Sequence, residues 1–533
     1  MYPHLSCKNV QKKSDKTDSV FVFLTRSDLT SGRLAAFWNV PSLSHGTQYT
    51  AMRKNGFTTT DHLYLQVADG LEKMIMDDVL KIGDKLPSVR LLSEEYGISL
   101  GTAFQAYYHL EGKGLIESRP KSGYYVRFNQ RRFPELPKLL QREPVSHDVS
   151  TKEMIASIYS DIAATNNKVI NFALAVPDAS LLPAAKLNKS VMHALRNSKD
   201  NCINYEHPQG NPELRKQVAK LAFNWGGKIK PDDVIITSGC LEAITMCVKA
   251  VTAYGDTVAV ESPNYFGIYQ AIESMGLKVV EISSDPTTGI DLECLQQAFK
   301  KFPVRACIAI PNFNNPFGSC MPDENKKKLV EIITAHNIPL IEDDIYGELY
   351  FGKSRPKTCK YYDTKGLVMH CSSLSKSLSP GYRIGWTIPG KFLEEVNQIK
   401  RMHNISCPTL TQAAMAHFLQ NGRYEYHLKN LRKSLHIHAL KYVQAVIEYF
   451  PEDTKVSRPQ GGFVLWLELN KKVNAFKLRT EAMKHGISIM PGKIFSTSSN
   501  YSNCIRLSFG RPWNDDTDYG LMMLGKLIQK MMQ

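Results

Sequence analysis

Residues 372–386 read SSLSKSLSPGYRIGW. Lys376 sits among serine hydroxyls, and Arg383 follows seven residues later. A lysine that bonds a carbonyl needs neighbours that lower its pKa and hold an anionic ligand. Ser373 and Arg383 are of the type that grips a phosphate. Upstream, residues 340–350 read LIEDDIYGELY, placing Asp343 and Tyr346 just after a strand-like run. A carboxylate at a strand's C-terminal end in an open α/β sheet points into the ligand crevice. Three consecutive acids also suit a helix N-terminus. Further upstream, Val234–Thr237 runs into Ser238-Gly239-Cys240-Leu241 and then a helical pattern. A strand, a small-residue turn and a helix N-terminus together make a phosphate cradle.

Around these motifs, strand-like runs alternate with helical ones. The runs are Thr257–Val260, Lys278–Ile282, Ala306–Ile310, Pro339–Glu342 and Leu367–Cys371. This alternation predicts an α/β fold, a mostly parallel sheet with helices on both faces. Asn315-Pro316 in PNFNNPFG is a turn by its own chemistry. Gly461-Gly462 reads as a turn into the core strand FVLWLEL.

The chain has 533 residues, is 43% hydrophobic and carries a net charge of +15. That hydrophobic fraction excludes a wholly disordered chain. The early apolar block Val20–Leu24 is far below the roughly 18 residues of a spanning helix and the roughly 7 of a signal-peptide core. A cytoplasmic protein without membrane attachment is expected. Eleven cysteines, an odd number without a CxxC pair, fit reduced thiols rather than a zinc ribbon or redox dithiol. His436 and His438 do not share a helix side and no HExxH occurs, which leaves metal catalysis without support. The positive charge suits a polyanion partner.

The N-terminal part has a different character. Residues 1–58 show no sustained period and are rich in Lys and Arg, which predicts a disordered basic leader. Organised sequence begins soon after Met52, an alternative natural start. Residues 59–128 read as a winged helix. Leu63, Val67, Leu71, Met74 and Ile75 recur at helical spacing. Pro87 and Ser88 open a second helix that Gly97 closes. Ser99 caps a third, running to about Glu111 and ended by Gly112 and Gly114. Two short strand-like runs, Leu115–Ser118 and Tyr124–Phe128, follow around a Pro- and Gly-containing joint. Ser99, Thr102 and Gln105 are placed for base edges, and Arg90, Lys113, Arg119 and Lys121 for phosphates. Within 61–127 eight Lys and Arg face ten Asp and Glu, so the basic residues are local rather than general. A linker stiffened by Pro134, Pro137 and Pro144 is expected over 129–152, and the remaining unit over 153–533.

The blocks YLQVADGLEKMI, GDKLPSVRLLSEEYGIS and GTAFQAYYHLEGKGLIESRPKSGYYV resemble the GntR-type DNA-binding domain. The resemblance implies double-stranded DNA as partner. One departure is Leu100, where the family usually has Arg after the serine of the recognition turn.

The later blocks, in order NYEHPQG, SGCLEA, ESPNYFG, NFNNPFG, EDDIYGE, SSLSK, PGYRIGW and IRLSF, resemble fold-type I aminotransferases. That resemblance implies pyridoxal 5'-phosphate (PLP) and a C-terminal α+β small domain. It implies Lys376 as the catalytic lysine that bonds the cofactor, and Asp343 as the partner of its pyridine nitrogen. Tyr346 and Asn315 would meet the ring hydroxyl, and Tyr265 would stack on the ring. Gly239, Cys240, Ser373 and Arg383 would hold the phosphate, with Tyr205 reaching across from a second subunit. Arg506 would clamp a substrate carboxylate. Cys240 and Leu241 depart from the small or amide residues more usual in the phosphate turn.

A GntR-type winged helix followed by such a domain looks like the MocR subfamily of transcriptional regulators. The family implies a homodimer with exchanged heads, an amino-acid-like ligand, and a ligand-biased two-state element relayed through the linker. Three function classes are weighed: a PLP-dependent regulator, a working aminotransferase bearing a DNA-binding head, and a structural protein without cofactor. The intact Lys376, Asp343 and Arg383 speak against the third.

Overall fold

The computed structural model describes residues 63–76, 79–80, 84–119, 122–126, 134–137, 143–148 and 169–533 except 199, 201, 421 and 499. The expected leader, the alternative start at Met52 and most of the expected linker lie outside the described residues.

Helices α1 (Leu63–Met76), α2 (Val89–Tyr96) and α3 (Leu100–Gly112) precede the hairpin β1 (Ile116–Arg119) and β2 (Gly123–Val126). The local chemistry accounts for each boundary. Ser88 accepts a hydrogen bond from Leu91 N and Gly97 closes α2 in the left-handed region at φ 61°. Ser99 caps α3 by accepting from Thr102 N. Gly114 turns the chain at φ 71° into the hairpin, whose register runs from Ile116↔Val126 to Arg119↔Gly123. Val67 and Leu71 of α1, Leu92 of α2, and Ala103, Ala106, Tyr107 and Leu110 of α3 close one core. The Tyr107 hydroxyl donates to Pro87 O at 2.7 Å, tying α3 to the start of α2.

The main sheet contains β3 (Ser146–Asp148), β4 (Ile235–Thr237), β5 (Thr257–Ser262), β6 (Lys278–Asp285), β7 (Val304–Ala309), β8 (Leu340–Asp343), β9 (Val368–Ser373) and β10 (Gly385–Ile388). Their spatial order is β3-β6-β5-β7-β8-β9-β10-β4. Strands β6, β5, β7, β8 and β9 are parallel. β10 is antiparallel to both β9 and β4, and β3 is antiparallel to β6 at the edge. Each expected strand-like run is present. Two features differ from expectation: β10 had no strand signal, and β3 falls inside the stretch expected as linker, so the sheet begins before residue 153.

Alternation along the strands covers both faces. Val258, Val260, Ile308, Ile341 and Met369 pack with Ala243, Ile244 and Cys247 of helix α4 (Cys240–Val251). Ala259, Cys307, Ala309, Leu340 and Val368 pack on the other face with Leu295, Leu329 and Ile333. Period-2 side chains that are apolar on both sides require this two-layer cover.

The C-terminal part packs the long helix α5 (Arg423–Tyr449) and helix α6 (Asp515–Met532) on a small antiparallel sheet of Lys455–Val456, β11 (Val464–Glu468), β12 (Met490–Pro491) and β13 (Cys504–Ser508). Gly462, at φ 68°, makes the expected turn into β11. Asn514 caps α6, and Asp515, Asp516 and Asp518 fill its first turn, where the helix dipole favours acids.

Among the described residues the winged helix touches α5 and the segment after β8. The Lys433 ammonium of α5 lies 5.6 Å from the Tyr108 ring centre, and the Lys353 ammonium 5.9 Å from that of Tyr64. His436 of α5 stands against Gly112 and stacks on Phe351 at 4.8 Å. Burial pushes the His436 imidazole down to about 4, so it is neutral near pH 7. Farther along, Val456 N donates to Glu135 O at 2.9 Å.

Truncating Leu110, buried in the winged-helix core, is expected to cost about 2–5 kcal/mol. Leu110→Ala should therefore speed amide hydrogen exchange in α1 and α3 while leaving exchange in β5, β7 and β8 unchanged.

Candidate functional site

Sheet topology gathers the chemistry at the carboxyl ends of the strands. Asp343 is the last residue of β8, and Lys376 follows β9 by three residues. The turn Ser238-Gly239 leaves β4 and opens α4 at Cys240. Arg506 comes from β13, Asn315 from the turn after β7, and Tyr265 stands just before the helix Phe266–Ser274. A cavity of about 250 Å³ results. Cys240, Tyr265, Asn315, Asp343, Tyr346, Lys376, Arg383 and Arg506 all line it.

Burial controls the electrostatics. The Lys376 ammonium donates to Ala175 O at 2.5 Å. Burial, reinforced by the Arg506 and Arg383 charges and opposed by Asp343, holds its pKa down to about 8. Burial pushes the Asp343 carboxyl up to about 6, although Cys240 Sγ donates to it at 3.3 Å and Ile345 N at 3.1 Å. The Tyr346 phenol is raised, again by burial. Arg506 is lowered to about 10 by burial, which leaves it cationic at neutral pH. Its Nη1 donates to Asn315 Oδ1 at 3.3 Å and its Nη2 to the Ala173 carbonyl. Its Nε is buried with no partner in the described structure, and so is Ser375 Oγ.

The phosphate turn is shaped by one glycine. Gly239 sits at φ 99°, ψ 169°, backbone that only glycine adopts at low cost. A Cβ there would collide with the Arg383 guanidinium, which donates to Ser238 O at 2.6 Å.

Three expected residues are not on the cavity wall: Gly239 lies behind Cys240 in the turn, and Ser373 and Tyr205 are placed elsewhere. Ser373 is buried and its hydroxyl accepts from Ser375 N at 3.2 Å, shaping the turn from within. Ser375, directly before Lys376, lines the cavity instead. Tyr205 is 82% exposed and lies outside the cavity of its own chain. Sequence reading missed Ser375, whose place in the serine run was its only signal. It also missed the wall Ala173–Val176, whose small apolar residues carry none.

A PLP molecule fits these donors. The unpartnered Ser375 hydroxyl, the glycine turn at the α4 N-terminus and Arg383 suit its phosphate. A buried carboxylate suits its ring nitrogen, and a lysine of depressed pKa its carbonyl.

On the winged helix, Arg90 and Gln105 are exposed as expected. Three of the expected DNA-contacting residues already have partners within the winged helix. The Ser99 and Thr102 hydroxyls bond each other at 2.8 Å within the helix cap, so they are engaged there rather than held out to base edges. Lys113 lies at the C-terminal end of α3, paired with Glu72 and 3.8 Å from Asp69 of α1. Those acids take up the charge expected for phosphate. Only the backbone of Arg119 is described, and Lys121 lies outside the described residues. No described helix is long and apolar enough to cross a membrane.

Fold and site together define a class I and II aminotransferase fold joined to a gntR-type winged helix. Residues 167–519 match the family "Aminotransferase class I and II", and residues 63–126 match "Bacterial regulatory proteins, gntR family". The HTH-type transcriptional regulator YdcR of Escherichia coli is 37% identical over 88% of this chain and 99% of its own length. YjiR, also an HTH-type regulator of Escherichia coli, is 34% identical over 88% and 99%. The crystal structure of LysN, an α-aminoadipate aminotransferase of Thermus thermophilus complexed with N-(5'-phosphopyridoxyl)-L-leucine, aligns with a TM-score of 0.65 at 26% identity. It covers 72% of this chain and 99% of that one. The chain belongs to the MocR subfamily of GntR-type transcriptional regulators. Pyridoxal 5'-phosphate is the cofactor of its aminotransferase fold.

Gly239→Ala should weaken PLP binding by roughly tenfold or more, since the strained backbone alone costs about 1–3 kcal/mol. Equilibrium dialysis of the cofactor against wild type and variant measures this.

Proposed function

We propose that the chain is a PLP-dependent transcriptional regulator. Its winged helix over 59–128 binds double-stranded DNA, and its aminotransferase-like unit, whose sheet begins at Ser146, senses an amino acid or PLP itself. One observation carries the reading: a single chain presents a recognition helix and gathers a lysine, an acid and two arginines on one cavity.

Bound there, the cofactor supplies a carbonyl for amines and a ring that accepts electrons. Lys376 is the residue that would bond it. Asp343 pairs with the ring nitrogen, where a cationic partner keeps the acid ionised. Asn315 and Tyr346 would hold the ring hydroxyl, and Tyr265 would cover the ring. Gly239, Cys240 and Arg383 would form the phosphate cradle together with Ser375, while Ser373 would support the turn that carries Ser375. Arg506, with an unused Nε, offers a fork to a carboxylate and so selects amino-acid-like ligands. Tyr205, remote from its own cavity, serves the partner's site in a homodimer. The protein works in the cytoplasm. A ligand that engages Arg506 shifts the balance between two arrangements of the heads.

The completeness of the cavity favours a second reading, an active aminotransferase on an amino-acid substrate. A shift titration of full-length protein on DNA upstream of its own gene, with and without PLP, at fixed salt, tests the first. Specific binding altered by PLP or an added amine is expected. Sequence-blind, salt-labile binding together with amino-donor turnover of about 1 s⁻¹ or faster would favour the second.

The Lys376 pKa gives a pH prediction. Its neutral amine is the nucleophile, and that form grows as pH rises through about 8. Reconstitution of cofactor-free protein with PLP should therefore accelerate through the same window, followed by the visible absorbance of the bound cofactor. Lys376→Ala should abolish that absorbance.

A further inference from the structure

The outward side of α3 is apolar where it begins. Ala103, Ala106, Tyr107 and Leu110 face the core. On the opposite side the first two turns present Leu100, 54% exposed, Phe104, 47% exposed, and the exposed Gly101 and Gln105. No Lys or Arg occurs between Leu100 and Tyr108. Arg and Lys are the side chains that read guanine O6 and N7 in the major groove. Leucine and phenylalanine meet the thymine methyl, and glutamine reads adenine N6 and N7.

We propose that Leu100, Phe104 and Gln105 read an A·T-containing step of the operator, the first two against thymine C5 methyl groups and the third on an adjacent adenine. The proposal rests on the reading of this unit as DNA-binding and names the bases that it selects. Three observations favour DNA as the occupant of this apolar face. Exposed cations, Lys85 and Arg90, flank the start of α2, the helix that crosses the phosphate backbone in a helix-turn-helix. The capped N-terminus of α3 adds its positive dipole at Leu100. The other end of α3 is already covered, Tyr108 by Lys433 and Gly112 by His436. The apolar surface left open is therefore two helical turns beside positive charge, the dimension of a major-groove contact.

The test selects binding sites from random DNA with the full-length, PLP-loaded protein. Each thymine of the selected site is then replaced by uracil, which removes only the methyl. Affinity should fall about fourfold at one or two positions, the loss of one buried methyl-sized group. Leu100→Ala and Phe104→Ala should bind the thymine site more weakly and lose the uracil effect at their own position. Gln105→Ala should relax selection at the adenine. Uracil that is harmless throughout, reading positions that are all G·C, or alanine variants with unchanged affinity would overturn the proposal. The last outcome would assign the face to a protein contact. Failure to select any sequence would instead overturn the DNA-binding reading, and this proposal with it.

Discussion

Asp343 and Lys376 hang from neighbouring strands, and much of the large sheet serves to keep them there. β8 and β9 are parallel, with Asp343 opposite Cys371, and the lysine lies five residues farther on. Both groups are buried beside two arginines, an arrangement that costs solvation for every charge present. The observed responses follow from that cost: the lysine and Arg506 are less basic, and the acid is harder to ionise. A polyanionic cofactor bearing a cationic ring answers all three at once, because it supplies partners for charges that otherwise oppose burial. The apolar cover on both faces of the sheet fixes the geometry in which those charges wait.

Much of this was legible in the sequence because it is written in local chemistry. Ser88, Gly97, Ser99 and Gly114 mark the helix ends and turns, and the runs in β5 to β9 declare themselves by short, mostly apolar stretches between helical patterns. What escaped reading lacked such a signal. β10 is four residues, Gly-Trp-Thr-Ile, too short to show a period, and its pairing is set by β9 and β4. β3 is Ser-His-Asp, a polar edge strand paired antiparallel to β6. Ser373 and Ser375 are two positions apart in sequence, and only the tight turn decides which hydroxyl faces the cavity. Lys113 looked free because its acids, Asp69 and Glu72, lie some forty residues away in the chain.

The contact between α3 and α5 is small and chemically mixed. It joins a cation–ring pair to a neutral histidine packed on a glycine. Such a surface is worth less than the core of the winged helix itself, whose buried leucines, alanines and Tyr107 form a closed cluster. The head therefore holds its own fold more firmly than it holds its place.

The bond between Glu135 and Val456 sets how far the head travels from that place. From Val126, the end of the wing, to Glu135 are nine residue steps, at most about 30 Å of extended chain. A tie that short raises the effective concentration of the winged helix beside α5, so the α3–α5 contact need not be strong enough to join two separate molecules. A change of about 1.4 kcal/mol in that contact alters its equilibrium constant tenfold.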